Sequence, residues 1–203
     1  MSGRRLGPAF FARPVEQVAR DLLGRHLLRV VDGERLVLRL VETEAYAGET
    51  DAASHARGGP TARNRAMFGP PGVTYVYLIY GLHHCLNLVC GPAGEAAAVL
   101  LRAGEPLAGL ERMAALRAGQ PRRDWARGPG RLCAALALDR RHDGLVLPHP
   151  ELWLEAGTPL PNAAVARGPR VGVDYAGAAA RWPWRFLEKG SPWVSRVSRA
   201  AAP

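Results

Sequence analysis

Hydrophobic and polar positions alternate in recognisable periods along most of the chain. Val15, Val18, Ala19 and Leu22 recur at helical spacing after Pro14, and Gly24 suits the end of that helix. HLLRVV and ERLVLRLVETEAY follow, joined by Asp32-Gly33, a pair that accepts the positive φ angles of a tight hairpin. In the second run Leu36, Leu38 and Leu40 share one face. Continued alternation places Glu42 and Glu44 on that same face, where a core would give way to a cleft. Residues 47–72 form a long Gly- and Pro-rich connection, with one or two short helices expected near 50–55 and 61–67. VTYVYLIY is a strand with Tyr75 and Tyr77 on one face and Tyr80 on the other at its end. A turn over Gly81–His84 and a returning strand, CLNLVC, complete a second hairpin. A third strand, AAAVLLRA, ends in Arg102. A helix is expected from Pro106, and another opens at Gly128-Pro129-Gly130-Arg131 and runs through RLCAALAL. The last third predicts strands in ELWLEA, PRVGVDY and WRFLEKG, with Trp153, Trp182, Trp184 and Trp193 as core.

Length and composition add bounds. A chain of 203 residues without internal repeat or composition break reads as one domain, 1–203. Residues 1–7 are expected to be a loose basic tail and 195–203 a frayed end. A domain of this size buries roughly 70% of its unfolded surface, so its core needs no staple. The net charge is +9, and Lys189 is the sole lysine among 27 basic residues. That balance fits a polyanionic partner, and it equally fits an arginine-rich background composition. Cys85, Cys90 and Cys133 are odd in number and lack a CxxC spacing, which argues against a disulfide framework and a zinc ribbon. The N-terminus lacks the apolar core of a signal peptide, and no apolar run is long enough to span a bilayer. A cytoplasmic or nucleoid-associated protein, not bound to membrane, is expected.

Several positions carry candidate chemistry. Glu42 and Glu44 are either solvated residues at a strand end or carboxylates tuned by burial and a cationic partner. Arg102 ends an apolar strand and needs such a partner, for which either glutamate is a candidate. Tyr80, Leu82 and His83 crowd a hairpin tip, which either folds back on the domain or inserts into something such as a base stack. His83 and His84 point to opposite faces of a strand, so they make a poor metal pair. Asn87 sits mid-strand between leucines, facing either solvent or a pocket. Arg57, Arg63 and Arg65 make the long connection locally basic. The turn holding Gly130 and Arg131 exposes free N–H groups of the kind that bind phosphate, although it matches no nucleotide-binding fingerprint.

The segments VETEAY, SHARGG, ARNRAMF, YVYLIYG, LNL and VLLRA with the following EP occur in an order and spacing that resembles the alkyladenine (3-methyladenine) DNA glycosylase family. GPGRLCAAL, LWLEAG, RVGVDYAG and GSPWVS look like that family too, so the likeness runs from about Phe10 to Val194. The resemblance implies a mixed α+β fold: one compact domain around a curved antiparallel β-sheet, with helices packed around it and a protruding β-hairpin. It implies a monomer acting on double-stranded DNA that contains damaged purines. The residues themselves show no metal constellation, and no metal or other cofactor is expected. By position, Glu44 matches the catalytic base and Arg102 the arginine that helps hold it and its water. Tyr46, His55 and Tyr77 match the residues enclosing a flipped base, and Asn87 matches the pocket floor that disfavours the 2-amino group of guanine. Tyr80 matches the residue filling the gap in the duplex, with Leu82 and His83 beside it. Two positions depart from the vertebrate pattern, Leu82 and His83 at the tip, where those relatives carry larger groups, and the long N-terminal tail of those relatives is not expected here.

A base inside a duplex is out of reach of an active site, so such an enzyme must extrude it. Hydrolysis of the glycosidic bond then passes through an oxocarbenium-like sugar that a carboxylate can stabilise while orienting water. With one lysine far along the chain from Glu44, a Schiff-base lyase is not expected. The rival readings are a non-catalytic binder of damaged DNA, an RNA-binding domain and a sugar hydrolase using Glu42 and Glu44. The second lacks any RRM or KH signature. The third has both carboxylates on one side of a substrate.

Overall fold

The computed structural model describes residues 3–196. It is a mixed α+β fold built on one curled antiparallel sheet of eight strands. Two helices, α1 (Pro8–Phe11) and α2 (Val15–Asp21), precede the β1–β2 hairpin (His26–Val31 and Glu34–Ala47). The connection that follows contains only short 3-10 turns at Gly48–Thr50 and Arg65–Phe68, in place of the helices expected near 50–55 and 61–67. Then come the β3–β4 hairpin (Thr74–Ile79 and His83–Cys90), β5 (Ala97–Ala108), α3 (Leu110–Leu116) and α4 (Pro129–Ala135). β6 (Leu152–Glu155), β7 (Val165–Gly168) and β8 (Arg185–Glu188) complete the sheet.

β2 is the spine. Its first half pairs with β1 and its second half with β8 along one edge, while β5 runs along the other. The main path through the sheet is β3-β4-β5-β2-β1-β6. One face carries the principal core. Leu36, Leu38, Leu40, Val76, Leu86, Leu88, Val99 and Leu101 pack there with Phe11, Val18 and Leu22 of the N-terminal helices and with Met113 and Leu132 of α3 and α4.

The expectation that Glu42 and Glu44 continue the leucine face does not hold. The β2–β5 register shifts between Leu40 and Glu42 and again between Glu42 and Thr43. Beyond that bulge the core positions are odd: Ala45 joins the leucine cluster, and Thr43 Oγ1 donates to Ala19 O of α2. A bulge inserts a residue and re-aims those that follow. Here it turns Glu42, Glu44 and Tyr46 to the opposite face, shared with Tyr75, Tyr77, Asn87 and Arg102.

Other boundaries differ from the pattern. β5 does not stop at Arg102 to leave a helix starting near Pro106. Pairing with β2 carries it to Ala108, and α3 begins after Gly109. Pro106 is tolerated because β4 pairs with β5 only as far as Leu100, so its missing N–H faces no ladder. The second hairpin turns at Tyr80-Gly81, both at positive φ, with Leu82 N donating to Ile79 O. His83 already belongs to β4, whereas the turn was expected over Gly81–His84. PRVGVDY forms no strand: Gly172 has φ 73° and a 3-10 segment follows from Asp174. β7 instead uses VARG, which alternation does not mark. Nor is the start of the chain loose from Gly3 onward, since Gly3 N donates to Glu155 Oε2, Leu6 N to Leu154 O, and Arg5 bridges Glu155. The frayed end placed at 195–203 lies outside the described residues from 197 on, and Ser195 is buried. Of the four tryptophans expected in the core, Trp153 is buried, while Trp182, Trp184 and Trp193 are half-buried.

Gly48 makes the turn that leaves β2. Its φ is 66°, and a Cβ there would lie 2.0 Å from Glu95 O. Both the left-handed backbone and the backbone collision oppose any side chain. Gly48→Ala should therefore lower the unfolding free energy by about 2 kcal/mol or more, read as a shift in the urea midpoint at unchanged slope. A wild-type midpoint would show that the turn does not require glycine.

Candidate active site

The face that the bulge creates walls a cavity of about 790 Å³. Tyr46, His55, Tyr75, Tyr77, Asn87 and Arg102 line its depth. Tyr80 and His83 of the hairpin, Gly130 and Arg131 of α4, and Tyr175 stand around the rest.

Behind one wall lies a buried charge cluster. The Glu42 and Glu44 side chains have no solvent exposure, and Arg102 bridges them, Nε to Glu42 Oε1 at 2.9 Å and Nη1 to Glu44 Oε2 at 3.1 Å. Glu42 also accepts from Arg185 Nε at 2.7 Å and from the N–H and hydroxyl of Ser195 at 2.6 and 2.8 Å. Three of these four donors converge on Oε1 and the Ser195 N–H takes Oε2, and together they hold β8 and the C-terminal segment against β2. Glu44 is held differently. Oε2 accepts from the Tyr46 hydroxyl at 2.9 Å as well as from Arg102, whereas among the described residues Oε1 accepts the Val171 N–H alone, at 2.8 Å. Two lone pairs are engaged on Oε2, and one remains open on Oε1. Tyr46, Arg102 and Val171 face the cavity, and Glu44 sits directly behind them.

Burial and the neighbouring carboxylate charges act in opposite senses on Arg102 and in the same sense on Tyr46. Desolvation works against the Arg102 charge, but Glu44 and Glu42 outweigh it and raise its pKa. Burial first, then the Glu44 charge, pushes the Tyr46 phenol well above its usual range, so it remains a donor. Cys85, also on the cavity wall, is pushed up to about 11 by burial, which keeps its thiol protonated and a poor nucleophile at neutral pH.

The aromatic wall comes from β3 and the long connection. His55 meets the Tyr77 ring edge-on at 4.5 Å between centroids, and Tyr75 and Tyr77 lie 5.4 Å apart. Burial pushes Tyr75 up to about 12, so its hydroxyl stays protonated, and it hydrogen-bonds with His55 Nδ1 at 3.1 Å. Part of the His55 ring is open to the cavity, yet desolvation by the surrounding protein, with Arg63 nearby, lowers its pKa. Asn87 donates Nδ2 to Tyr75 O at 3.0 Å and to Cys85 O at 3.4 Å, which turns Oδ1 away from those carbonyls.

Around the mouth the expected residues separate. Tyr80 and Leu82 are 86% and 77% exposed, so the hairpin tip projects and does not fold back. Tyr80 and His83 border the cavity, and His83 packs on Gly130, where a Cβ would lie 2.8 Å from its own. Leu82 stands outside the cavity lining. Arg63 reaches Leu78 O and lies over Tyr77 at 5.7 Å, and Arg57 lies 5.8 Å from the Tyr175 ring at the rim. Arg65 is exposed on the 3-10 turn and borders no part of the cavity. The pattern gave no sign of Val171, Arg185 or Ser195 as partners of the two glutamates, because two of the bonds come from main-chain N–H groups distant in sequence. Among the described residues no group of three or more His, Cys, Asp or Glu could hold a metal ion. No helix among them is long and apolar enough to cross a membrane.

A cavity of this size, with stacked rings on one wall and an ion-paired carboxylate behind another, suits a hydrolase that takes a flat conjugated ring. Comparison with known proteins narrows the class. The family model described as methylpurine-DNA glycosylase matches residues 9–192, and the chain belongs to that family. Relatives from Anaeromyxobacter dehalogenans and Methanocella arvoryzae, both with 3-methyladenine DNA glycosylase in their names, are 52% and 51% identical. The first match covers 98% of this chain and 89% of the relative, the second 92% and 94%. The mouse DNA-3-methyladenine glycosylase is 47% identical over 97% of this chain and 63% of its own length.

The neutral state favoured at His55 gives a directional test. Its folded pKa lies below the ordinary 6.5, so the folded chain binds fewer protons than the unfolded chain between those values. The contribution of His55 to stability is therefore intact above about 6.5 and declines as pH falls through the lowered pKa. An NMR titration should place the His55 midpoint below 6.5, and Arg63→Gln should raise it. A midpoint at or above 6.5 in the wild type would contradict the assigned environment.

Proposed function

We propose that this protein flips damaged purines, alkylated or deaminated, out of duplex DNA and hydrolyses their N-glycosidic bond with a water activated by Glu44, leaving an abasic site. The observation that carries the reading is the arrangement at Glu44. A shielded carboxylate with one unused lone pair on Oε1 lies directly behind a cavity walled by Tyr46, His55 and Tyr77.

On this reading the hairpin enters the duplex. Tyr80, with Leu82 and His83 at its flank, fills the space vacated by the extruded nucleotide and offsets part of the few kcal/mol that unstacking costs. In the cavity the base stacks on Tyr46, Tyr77 and His55, each such contact returning about 1–3 kcal/mol. The electron-rich tyrosine faces favour purines that carry a positive charge from alkylation, and a neutral His55 adds no opposing charge. Asn87 borders the cavity with its NH₂ committed to backbone carbonyls, and it excludes the 2-amino group of normal guanine.

Hydrolysis follows from the lone-pair count. Tyr46 and Arg102 occupy Oε2, so a water binds Oε1 beside the Val171 amide, reached by a small shift of the cavity wall. Glu44 takes the water's proton, and its charge faces the oxocarbenium-like sugar as the purine leaves. Arg102 holds the carboxylate in its orientation. Glu42 serves as an anchor, since Arg185 and Ser195, which hold it beside Arg102, stand outside the cavity lining. Arg57, Arg63, Arg65, Gly130 and Arg131 contact the sugar-phosphate backbone around the mouth. The protein acts as a monomer, with double-stranded DNA as its partner and no cofactor. Lys189, the sole lysine, donates to Ala163 O and borders no part of the cavity, so no lysine is placed to open the sugar, and the enzyme is monofunctional.

Base release from duplexes carrying hypoxanthine or methylated purines tests the reading. The wild type should release at least one of them, and Glu44→Gln should slow release by about 100-fold or more while lesion binding persists. Tight lesion binding without release by the wild type would favour a non-catalytic damage-binding protein instead. Borohydride added during turnover should trap no protein–DNA adduct, and a covalent adduct would refute the monofunctional mechanism.

A further inference from the structure

Among the described residues the segment after β7 supplies the only bond on Glu44 Oε1, and it lies in neither a helix nor a strand at that point. Gly172 follows at positive φ, so regular secondary structure does not fix the Val171 amide. Something else must hold it, and the preceding residue does. The Arg170 side chain is fully buried, as is that of its partner Asp51. Nη2 donates to Asp51 Oδ1 at 2.8 Å and Nη1 pairs with Oδ2. The same guanidinium donates to Ala45 O of β2 at 2.9 Å and to Ala179 O at 3.2 Å. Asp51 is itself anchored, accepting from Ala53 N at 2.9 Å and Ala47 N at 3.2 Å. One side chain thus ties together the end of β2, the start of the long connection and the 170–179 segment.

Arg170 also lies against the second group that holds Glu44. Its guanidinium carbon is 4.7 Å from the centre of the Tyr46 ring, with the Trp184 and Trp182 rings at 5.3 and 5.8 Å. Tyr46 and Val171 both line the cavity, and Arg170 does not. The Tyr46 ring and the Val171 amide, which bind opposite oxygens of one carboxylate, therefore share a single support outside the cavity.

We propose that Arg170, clamped by Asp51, is a positioning residue for base excision. It sets the Val171 amide on Glu44 Oε1 and the Tyr46 ring on the cavity wall without touching substrate. This rests on the reading of Glu44 as the base that activates water. Two features of the guanidinium are needed together: the paired donors that grip Asp51, and the flat cation that packs on Tyr46. Lysine keeps the charge but lacks the fork and the plane. A displacement of about 1 Å at a reacting group can slow a reaction by about 100-fold, so loss of this support should appear in the chemical step rather than in binding.

The test compares Arg170→Lys, Arg170→Gln and Asp51→Asn with the wild type, each confirmed as folded by near-ultraviolet circular dichroism. Two properties are read. The first is the single-turnover rate of base release at saturating enzyme, beside affinity for the same lesion duplex. The second, which needs no catalysis, is hydrogen exchange at the Val171 amide. The proposal expects release slowed about 10- to 100-fold with affinity changed about threefold or less, and faster exchange at Val171 in the same variants. Arg170→Lys should fall between Arg170→Gln and the wild type. Wild-type release and wild-type exchange in folded Arg170→Gln would overturn it, as would loss of affinity in step with loss of rate. If Arg170→Gln does not fold, Arg170→Lys and Asp51→Asn decide by the same two readouts. Should the wild type release no base from any lesion, the assignment of Glu44 fails, and the exchange measurement alone judges whether Arg170 holds the Val171 amide.

Discussion

Arg102 shared between two fully shielded glutamates is the interaction on which the rest of this structure depends. Two carboxylates brought that close, away from water, would repel one another and lose their hydration. A guanidinium between them makes the arrangement tenable because its Nε and Nη1 reach separate partners in a fixed plane. The fold is arranged to supply that contact. β5 brings Arg102 alongside β2, the bulge after Leu40 turns Glu42 and Glu44 to Arg102's side of the sheet, and β8 and Ser195 close over Glu42.

The two glutamates, two residues apart on one strand, divide the work through their partners. Glu42 gathers four charged and polar donors, two of its three partner residues lie outside the cavity wall, and it functions as an anchor. Glu44 is bound by groups that also form the cavity wall, and it keeps one acceptor position. Equivalent side chains reach different chemistry because their hydrogen bonds differ, and those bonds come from segments far apart in sequence. The chain belongs to the methylpurine-DNA glycosylase family, and its cavity sets the Tyr46, His55 and Tyr77 rings in front of the buried Glu44.

Support for the site extends beyond the residues that border it. The Asp51–Arg170 pair lies outside the cavity, yet it joins the strand end bearing Tyr46 to the segment bearing Val171. Irregular backbone can hold a catalytic hydrogen bond only when buried contacts over-determine it, and a buried, multiply bonded ion pair does this without regular secondary structure. The hairpin tip is built on the opposite principle. Tyr80 and Leu82 project from a tight turn and make few contacts, which leaves them available to a partner.

The amino-acid sequence by itself determined the elements with strong local signals. The α2 helix, the Asp32-Gly33 hairpin, the aromatic β3 strand and the start of α4 follow from periodicity and from residues that tolerate special φ angles. Ordered segments around Glu44, Tyr46, His55, Tyr77, Asn87 and Arg102 also sufficed to reveal the family, because several separate segments recurred in order. Only the tertiary structure decided which way the glutamates face, since a single bulged residue reverses the alternation and leaves no compositional mark at Val41. Only it extended β5 through Pro106, where the neighbouring strand had already ended. And only it brought Val171, Arg185 and Ser195 to the two carboxylates and Arg170 to Asp51. Those contacts join positions more than a hundred residues apart, two of them through backbone N–H groups that every residue but proline carries, so side-chain pattern has nothing there to report.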